Sequence, residues 1–370
     1  MYGVRVYIFL IYKEIFITKQ KLLNSFTEDT MQLKLILAGY GTVGKEFVKL
    51  IHEKASFIQK EFGLKLILVG IIGRDLKLYH PEGLCIDTLL TLGLGSVALH
   101  KYIEQHSVHN EKMNGHVFIE STPTNLESGN PGKQYILQAI ENGMDIVSIS
   151  KGALVTSWKE IREAARFANV RIRYSGATAA ALPTLDIGQF SLVGCKIERI
   201  EGVLNGTTNY ILTKMYEDNT SYVEVLQQAQ QKGIAETNPS LDVSGMDSAC
   251  KLLLLSNSLL HTEYTLEDIS IEGIENLSKQ DIQKAKEQGK QMKLIARAYT
   301  DDDGEVRLEV QPYAVDLNHS LASVIGTEKG ITFYTDTMGT VTSISGASNP
   351  RGAAAAALKD VINLYRKDLL

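Results

Sequence analysis

The chain has 370 residues, 44% of them apolar, enough for a substantial core and, at roughly 150 residues per domain, about two domains. Its 38 Lys and Arg against 43 Asp and Glu leave a net charge of −5, which gives no electrostatic case for nucleic acid or for an anionic membrane surface. The three cysteines, Cys85, Cys195 and Cys250, are too few and too widely spaced for a disulfide framework or a zinc site, and they read as reduced thiols.

Residues 4–17 are apolar but interrupted by Arg5, Lys13 and Glu14. The run is too short and too charged to span a membrane, and no small-residue cleavage site follows it. Residues 1–30 are therefore expected to be an N-terminal extension, not native to the fold or disordered, with Met31 opening the first strand.

The apolar run 33–38 suits a buried parallel strand. It runs into Gly39-Tyr40-Gly41-Thr42-Val43-Gly44, after which Val43, Phe47, Leu50 and Ile51 recur at helical spacing. Strands follow at 64–72, ending in Gly73-Arg74-Asp75, and at 117–119, ending in Glu120-Ser121-Thr122-Pro123-Thr124-Asn125. A helix is predicted over 132–142, a strand over 146–149 ending at Lys151, a helix over 161–168 and a strand over 170–174. Strands alternating with helices predict an α/β, Rossmann-type doubly wound domain over 31–178, completed by a last helix within 346–370. From about residue 180 the pattern changes. Strands at 196–204, 294–299, 306–310, 331–334 and 341–344, with helices at 222–232 and 245–260, predict a second α+β domain over 179–345.

The glycine run has a definite mechanism. Gly39 permits a tight turn, Gly41 lets backbone approach a pyrophosphate and Gly44 allows close helix packing, while the helix N-terminus offers N–H groups to phosphate. At the end of the second strand an acid would grip the 2′-OH of NAD, whereas an arginine accommodates the 2′-phosphate of NADP. Arg74 stands there and favours NADP, with NAD the alternative and Asp75 one residue on. Thr122 and Lys151 fall at the carboxyl ends of later strands, the edge where open α/β sheets bind ligands.

In the second half, Gly233 ends a helix, a polar loop carries Glu236 and Asp242, and a new helix starts near Gly245. Asp247 and Lys251, four apart, share a face of that helix beside the apolar run 252–255. Two readings follow. A buried Lys251 is costly unless paired, and the opposition of burial and Asp247 would tune it for proton exchange. An exposed pair would contribute only a few tenths of a kcal/mol.

The stretch from Ala229 through Gly233, Asn238-Pro239, Asp242 and Gly245-Met246-Asp247 to Lys251 resembles the homoserine dehydrogenase signature at every fixed position. The resemblance extends over Gly202-Val203-Leu204-Asn205-Gly206-Thr207-Thr208-Asn209 and Ser150-Lys151-Gly152, and spans roughly 31–370. It implies an NAD(P)-dependent oxidoreductase that interconverts aspartate β-semialdehyde, a small-molecule substrate, and L-homoserine. Lys251 then exchanges the proton, held by Asp247. Glu236, Asp242, Asn205, Gly206 and Thr207 bind substrate. Gly39, Gly41, Thr42, Val43, Gly44, Arg74, Thr122, Lys151 and Gly233 meet the cofactor. A cytoplasmic homodimer, with 179–345 carrying catalysis and dimerisation, is also implied. In relatives, parts of the loop 174–183 hold a monovalent cation, largely through backbone carbonyls. Here Ser175 stands where glutamate is usual, and no metal ligand is assigned. The chain stops within ten residues of Asp360, so a short form without a C-terminal regulatory domain is expected. Another NADP-dependent enzyme on this scaffold and a non-catalytic nucleotide sensor are the competing readings.

Overall fold

The computed structural model describes residues 30–109, 112–346 and 349–366. The expected N-terminal extension, 1–30, lies outside that set apart from residue 30, as do residues 347–348. Among the described residues two six-stranded sheets form. The first contains β1 (Met31–Ala38), β2 (Leu64–Ile72), β3 (Lys77–Tyr79), β4 (Val117–Glu120), β5 (Asp145–Ser148) and β6 (Ile172–Arg173), in the order β3-β2-β1-β4-β5-β6. All neighbours are parallel except β3, which turns back along β2.

A parallel sheet must be covered on both faces. Leu33, Leu35 and Leu37 of β1 point to one face, packed with Phe47 and Ile51 of the helix Thr42–Glu53 and with Ala354, Ala357 and Val361 of the C-terminal helix Pro350–Tyr365. Ile36, Phe118 and Ile146 point to the other, covered by the helices Gly132–Glu141 and Gly152–Ala168. The strand order reverses between β1 and β4, which opens a crevice at the carboxyl ends of these strands.

The second sheet contains β7 (Ile197–Val203), β8 (Ile269–Ile271), β9 (Lys290–Thr300), β10 (Val306–Asp316), β11 (Lys329–Thr335) and β12 (Gly339–Ser345), in the order β12-β11-β7-β9-β10-β8. Its pairs are antiparallel apart from β8 on β10. The helix Met246–Leu259 lies against it, and the apolar side chains of that helix belong to the same core as the inner face of the first sheet. No described helix is long and apolar enough to cross a membrane.

Differences from the expected elements have local causes. The helix expected over 161–168 begins at Gly152, with a non-helical break at Ser157. The helices Gly95–Gln105 and Gly206–Asp218 were not anticipated; in the second, an apolar face is diluted by Thr207, Thr208, Asn209 and Thr213.

The C-terminal helix is stapled to the first sheet at its far end. Asp145 Oδ1 accepts from the Arg171 amide (2.7 Å), and its Oδ2 accepts from Arg171 Nε (3.1 Å), Arg171 Nη2 (2.6 Å) and the Tyr365 hydroxyl (2.8 Å). Arg171 Nη1 donates in turn to the Leu364 carbonyl. Asp145→Ala should therefore lower unfolding free energy by about 2–4 kcal/mol, since several donors lose their acceptor together. Urea denaturation checks this, and an unchanged midpoint would mean that the last helix is held elsewhere.

Candidate active site

The crevice is a cleft of about 1080 Å³ lined by Gly39, Gly41, Thr42, Val43, Arg74, Thr122 and Ser150, among others. The glycines sit where a tight turn and close backbone packing leave no room for a side chain, or face open space. A Cβ on Gly39, where φ is +91°, would fall 2.2 Å from the Ser121 carbonyl oxygen, and one on Gly44 would fall 2.1 Å from the Gly39 carbonyl oxygen. A Cβ on Gly41 would meet nothing within 4 Å, so this backbone faces open space at the N-terminus of the helix Thr42–Glu53. That bare backbone beside free helix amides fits a dinucleotide pyrophosphate.

Arg74 is exposed at the cleft. Asp75 is engaged beside it, accepting from Ser96 Oγ at 2.5 Å and meeting His100 Nε2 at 3.0 Å. These two hydrogen bonds hold its carboxyl below the usual carboxylate range. Thr122 lies at the end of β4, where the buried Glu120 organises the strand ends. Glu120 Oε1 accepts from the Thr122 amide and hydroxyl (2.8 and 2.5 Å), and its Oε2 accepts from Ser148 Oγ and Ser150 Oγ (2.8 and 2.6 Å).

The chemistry-bearing groups gather where the two sheets meet. Gly245, at φ +84°, starts the helix Met246–Leu259, and Asp247 sits in its first turn. The helix is buried nearly all round, which decides between the two readings of the Asp247–Lys251 pair: their side chains are only 10% and 12% exposed. Asp247 Oδ2 accepts from Lys251 Nζ (2.5 Å) and from Asn205 Nδ2 (2.8 Å), and Oδ1 meets Lys151 Nζ at 2.8 Å. Lys251 Nζ also donates to the Leu204 carbonyl at 2.8 Å. Asn205 Nδ2 donates a second time to Asp242 Oδ1 (2.7 Å), while its Oδ1 caps the helix Gly206–Asp218 by accepting from the Thr208 amide (2.9 Å). One amide thus fixes two carboxylates and a helix start.

Electrostatics follow the geometry. Burial raises the Asp247 carboxyl, but the charges of Lys251 and Lys151 and their hydrogen bonds outweigh it and hold the group far below the carboxylate range. Burial likewise lowers the Lys151 ammonium, and the charge and hydrogen bond of Asp247 more than reverse this, so its pKa is raised.

Of the expected residues, Lys251, Asp247, Asn205, Asp242 and Lys151 form one connected cluster, and Lys151, expected at the cofactor, is bonded to Asp247. Gly206 and Thr207 open the adjoining helix, and Thr207 Oγ1 donates to the Ile234 carbonyl at 3.2 Å, tying down the loop that follows Gly233. Gly233 (φ +68°) and Glu236 are exposed on that loop, at no direct bond to the cluster. Sequence reasoning missed Lys329, at the start of β11, which is 2% exposed and donates from Nζ to the Ala179 carbonyl at 2.9 Å. Burial, with the charges of Lys251 and Lys151 nearby, pulls its ammonium down to about 7 although Asp247 opposes them. Glu120 was seen only as part of a strand end, with no role.

Fold and cleft together define a two-domain oxidoreductase that takes a nicotinamide dinucleotide. The family model for homoserine dehydrogenase matches residues 183–362, and that for the homoserine dehydrogenase NAD-binding domain matches residues 39–175. The chain is 30% identical over 338 residues to homoserine dehydrogenase of Methanocaldococcus jannaschii, covering 90% of this chain and 98% of that one. It is 31% identical to the NAD(+)-dependent homoserine dehydrogenase of Pseudomonas canavaninivorans, covering 90% and 97%. The homoserine dehydrogenase structure from Thiobacillus denitrificans shares the fold, with a TM-score of 0.78 at 24% identity over 91% of this chain and 74% of that one. The chain belongs to the homoserine dehydrogenase family, NAD(P)-dependent oxidoreductases of amino-acid biosynthesis that interconvert L-homoserine and L-aspartate 4-semialdehyde.

Asp247→Asn keeps the bulk and removes the charge, leaving two ammonium groups without their shared counter-ion. Stability should fall by about 3–5 kcal/mol, the cost of breaking a buried pair from one side. A carboxyl whose folded pKa lies below its unfolded value contributes stability that is present above about pH 4 and fades only as pH falls through the folded value. The gap between wild type and variant should therefore not narrow as pH falls from about 8 to about 5, since the unpaired ammonium groups of the variant also cost more at lower pH. Urea titrations across that range check it, and a gap that closes within them would place Asp247 outside the ion pairs.

Proposed function

We propose that Lys251 is the residue that exchanges a proton with the substrate oxygen, and that the enzyme prefers NADP. The observation that carries the first part is the bonding of Lys251 Nζ. An ammonium has three donors, and Asp247 Oδ2 and the Leu204 carbonyl take two, which leaves the third for the substrate oxygen. A bound nicotinamide supplies or accepts the hydride at the carbon that bears this oxygen. As negative charge develops on the oxygen during reduction, Lys251 donates its proton to it, and in the reverse direction it takes the proton back. Asp247 orients Lys251. Asp242 and Glu236 suit the substrate ammonium group. Because Asn205 already satisfies the Thr208 amide, the preceding amides of Gly206 and Thr207 suit the substrate carboxylate. Gly39, Gly41, Thr42, Val43 and Gly44 receive the pyrophosphate, and Thr122, Lys151 and Gly233 border the nicotinamide end. The site would then hold the aldehyde carbon near the nicotinamide, and such positioning carries much of the rate.

The NADP preference is supported by Arg74 exposed at the cleft and by Asp75 engaged with Ser96 and His100. NAD remains the competing cofactor. The family resemblance supports a cytoplasmic homodimer, and residues 31–178 with the C-terminal helix as the nucleotide domain beside a substrate domain over 179–345.

Lys251→Met should lower kcat by about 10²- to 10⁴-fold with dinucleotide affinity nearly unchanged. Single-turnover oxidation of NADPH by aspartate semialdehyde measures this. A variant keeping more than about half of the wild-type kcat would remove Lys251 from the proton transfer. Arg74→Ala should raise KM for NADPH more than KM for NADH, because only NADPH carries the phosphate that the guanidinium can grip. Equal changes with both cofactors would end the specificity role.

A further inference from the structure

The loop 174–183 links the two sheets and runs beside both the dinucleotide cleft and the ammonium cluster. The family resemblance places a monovalent cation in this loop. Such an ion is held by several oxygens whose lone pairs are available, with nearby negative charge to offset its own. In this loop a buried ammonium of the protein's own already sits on one of the carbonyls.

At the start of the loop, Ser175 Oγ donates to Asp360 Oδ1 (2.8 Å) and accepts from Lys359 Nζ (3.0 Å), and the Ser175 amide donates to Asp360 Oδ2 (2.8 Å). The Ser175 carbonyl accepts from Thr178 Oγ1 at 3.0 Å, and that hydroxyl is 2.8 Å from Thr184 Oγ1. In the middle of the loop, the Ala179 carbonyl accepts from Lys329 Nζ (2.9 Å) and from the Leu182 amide (3.3 Å). The carboxylates beside the loop, Asp186 and Asp360, both pair with Lys359. An added cation would meet the buried ammonium of Lys329, itself within the field of Lys151 and Lys251.

Lys329 also stands close to the reacting end of the site. In β11 its neighbour Gly330 pairs with Val203 of β7, one residue before Leu204, whose carbonyl receives Lys251. Lys329 therefore joins the loop, which its side chain meets, to the strand pair whose end receives Lys251, in which its backbone runs.

We propose that Lys329 and Lys359 hold this loop with their own amino groups in place of an alkali ion, so that the enzyme requires neither sodium nor potassium and Lys329 is a positioning residue for Lys251. Either protonation form of the Lys329 amine can donate to the Ala179 carbonyl, so the tether persists across neutral pH.

The test uses the intact enzyme and cofactor exchanged into choline salts, with sodium or potassium chloride then replacing choline chloride at constant ionic strength. Steady-state kcat and KM and the melting temperature are followed together. We expect kcat and KM to change by less than about 1.5-fold and no saturable rise in Tm, since an ion that bound the folded state would stabilise it by mass action. Saturable activation above about threefold by either ion, or a saturable increase in Tm, would overturn the proposal. A second arm uses Lys329→Met. This part rests on Lys251 as the proton-transfer group, which Lys251→Met tests separately. We expect kcat to fall at least about tenfold while dinucleotide Kd, read by fluorescence quenching, stays within about twofold. A variant with lowered Tm but wild-type kcat would mean that Lys329 is structural only. The wild-type ion series decides the cation question even if Lys329→Met does not fold.

Discussion

The carboxylate of Asp247, buried between two ammonium groups, is the interaction on which the arrangement depends. A lone carboxylate at this depth would be expensive, and so would either lysine. Together they are tolerable only because each charge has another directly against it and because Asn205 supplies a further donor. The two lysines come from different places: Lys151 follows the last residues of β5 in the first sheet, and Lys251 stands one helical turn beyond Asp247 on the helix that packs on the second. The pairing therefore fastens the nucleotide half to the second domain. The same pairing keeps Asp247 ionised, so both lysines keep a charged partner.

Much of this was legible in the sequence, for reasons that are local. The glycine loop could be read because its three glycines fall within six residues at fixed spacing; the close approach at Gly44 is to the Gly39 carbonyl inside the loop, whereas that at Gly39 is to the Ser121 carbonyl beyond the neighbouring strand β4. Asp247 and Lys251 could be placed on one helix face from their spacing, but spacing could not say whether that face was buried. Burial comes from the second sheet and from the core that the helix shares with the first sheet. Asn205 was assigned only by resemblance, and nothing in its neighbours announces that its amide would serve two carboxylates and a helix cap.

What stayed hidden is long-range. Lys329 precedes an apolar strand, where a lysine most often faces water. Its burial depends on a loop 150 positions away in sequence, whose carbonyl it meets. Lys359 and Asp360 lie in an alanine-rich helix that advertises packing, and their engagement with Ser175 and Asp186 follows only from the return of that helix to the first sheet. Glu120 shows the same limit: four hydrogen bonds from the ends of two strands, β4 and β5, converge on it, and the two from β5 are not predictable from its own surroundings.

The C-terminal helix carries a consequence for how the protein is made. Its alanines and Val361 cover the same face of the first sheet as Phe47 and Ile51, and Arg351 pairs with Glu53 and Glu46 of the glycine-loop helix. During synthesis the strands of the nucleotide half leave the ribosome early, yet part of their apolar cover is encoded after the whole second domain. Folding in order of appearance, the usual course for a multidomain chain, is thus interrupted here. The half that is translated first is closed last, and until then its exposed leucines are a surface for chaperones or for the wrong neighbour.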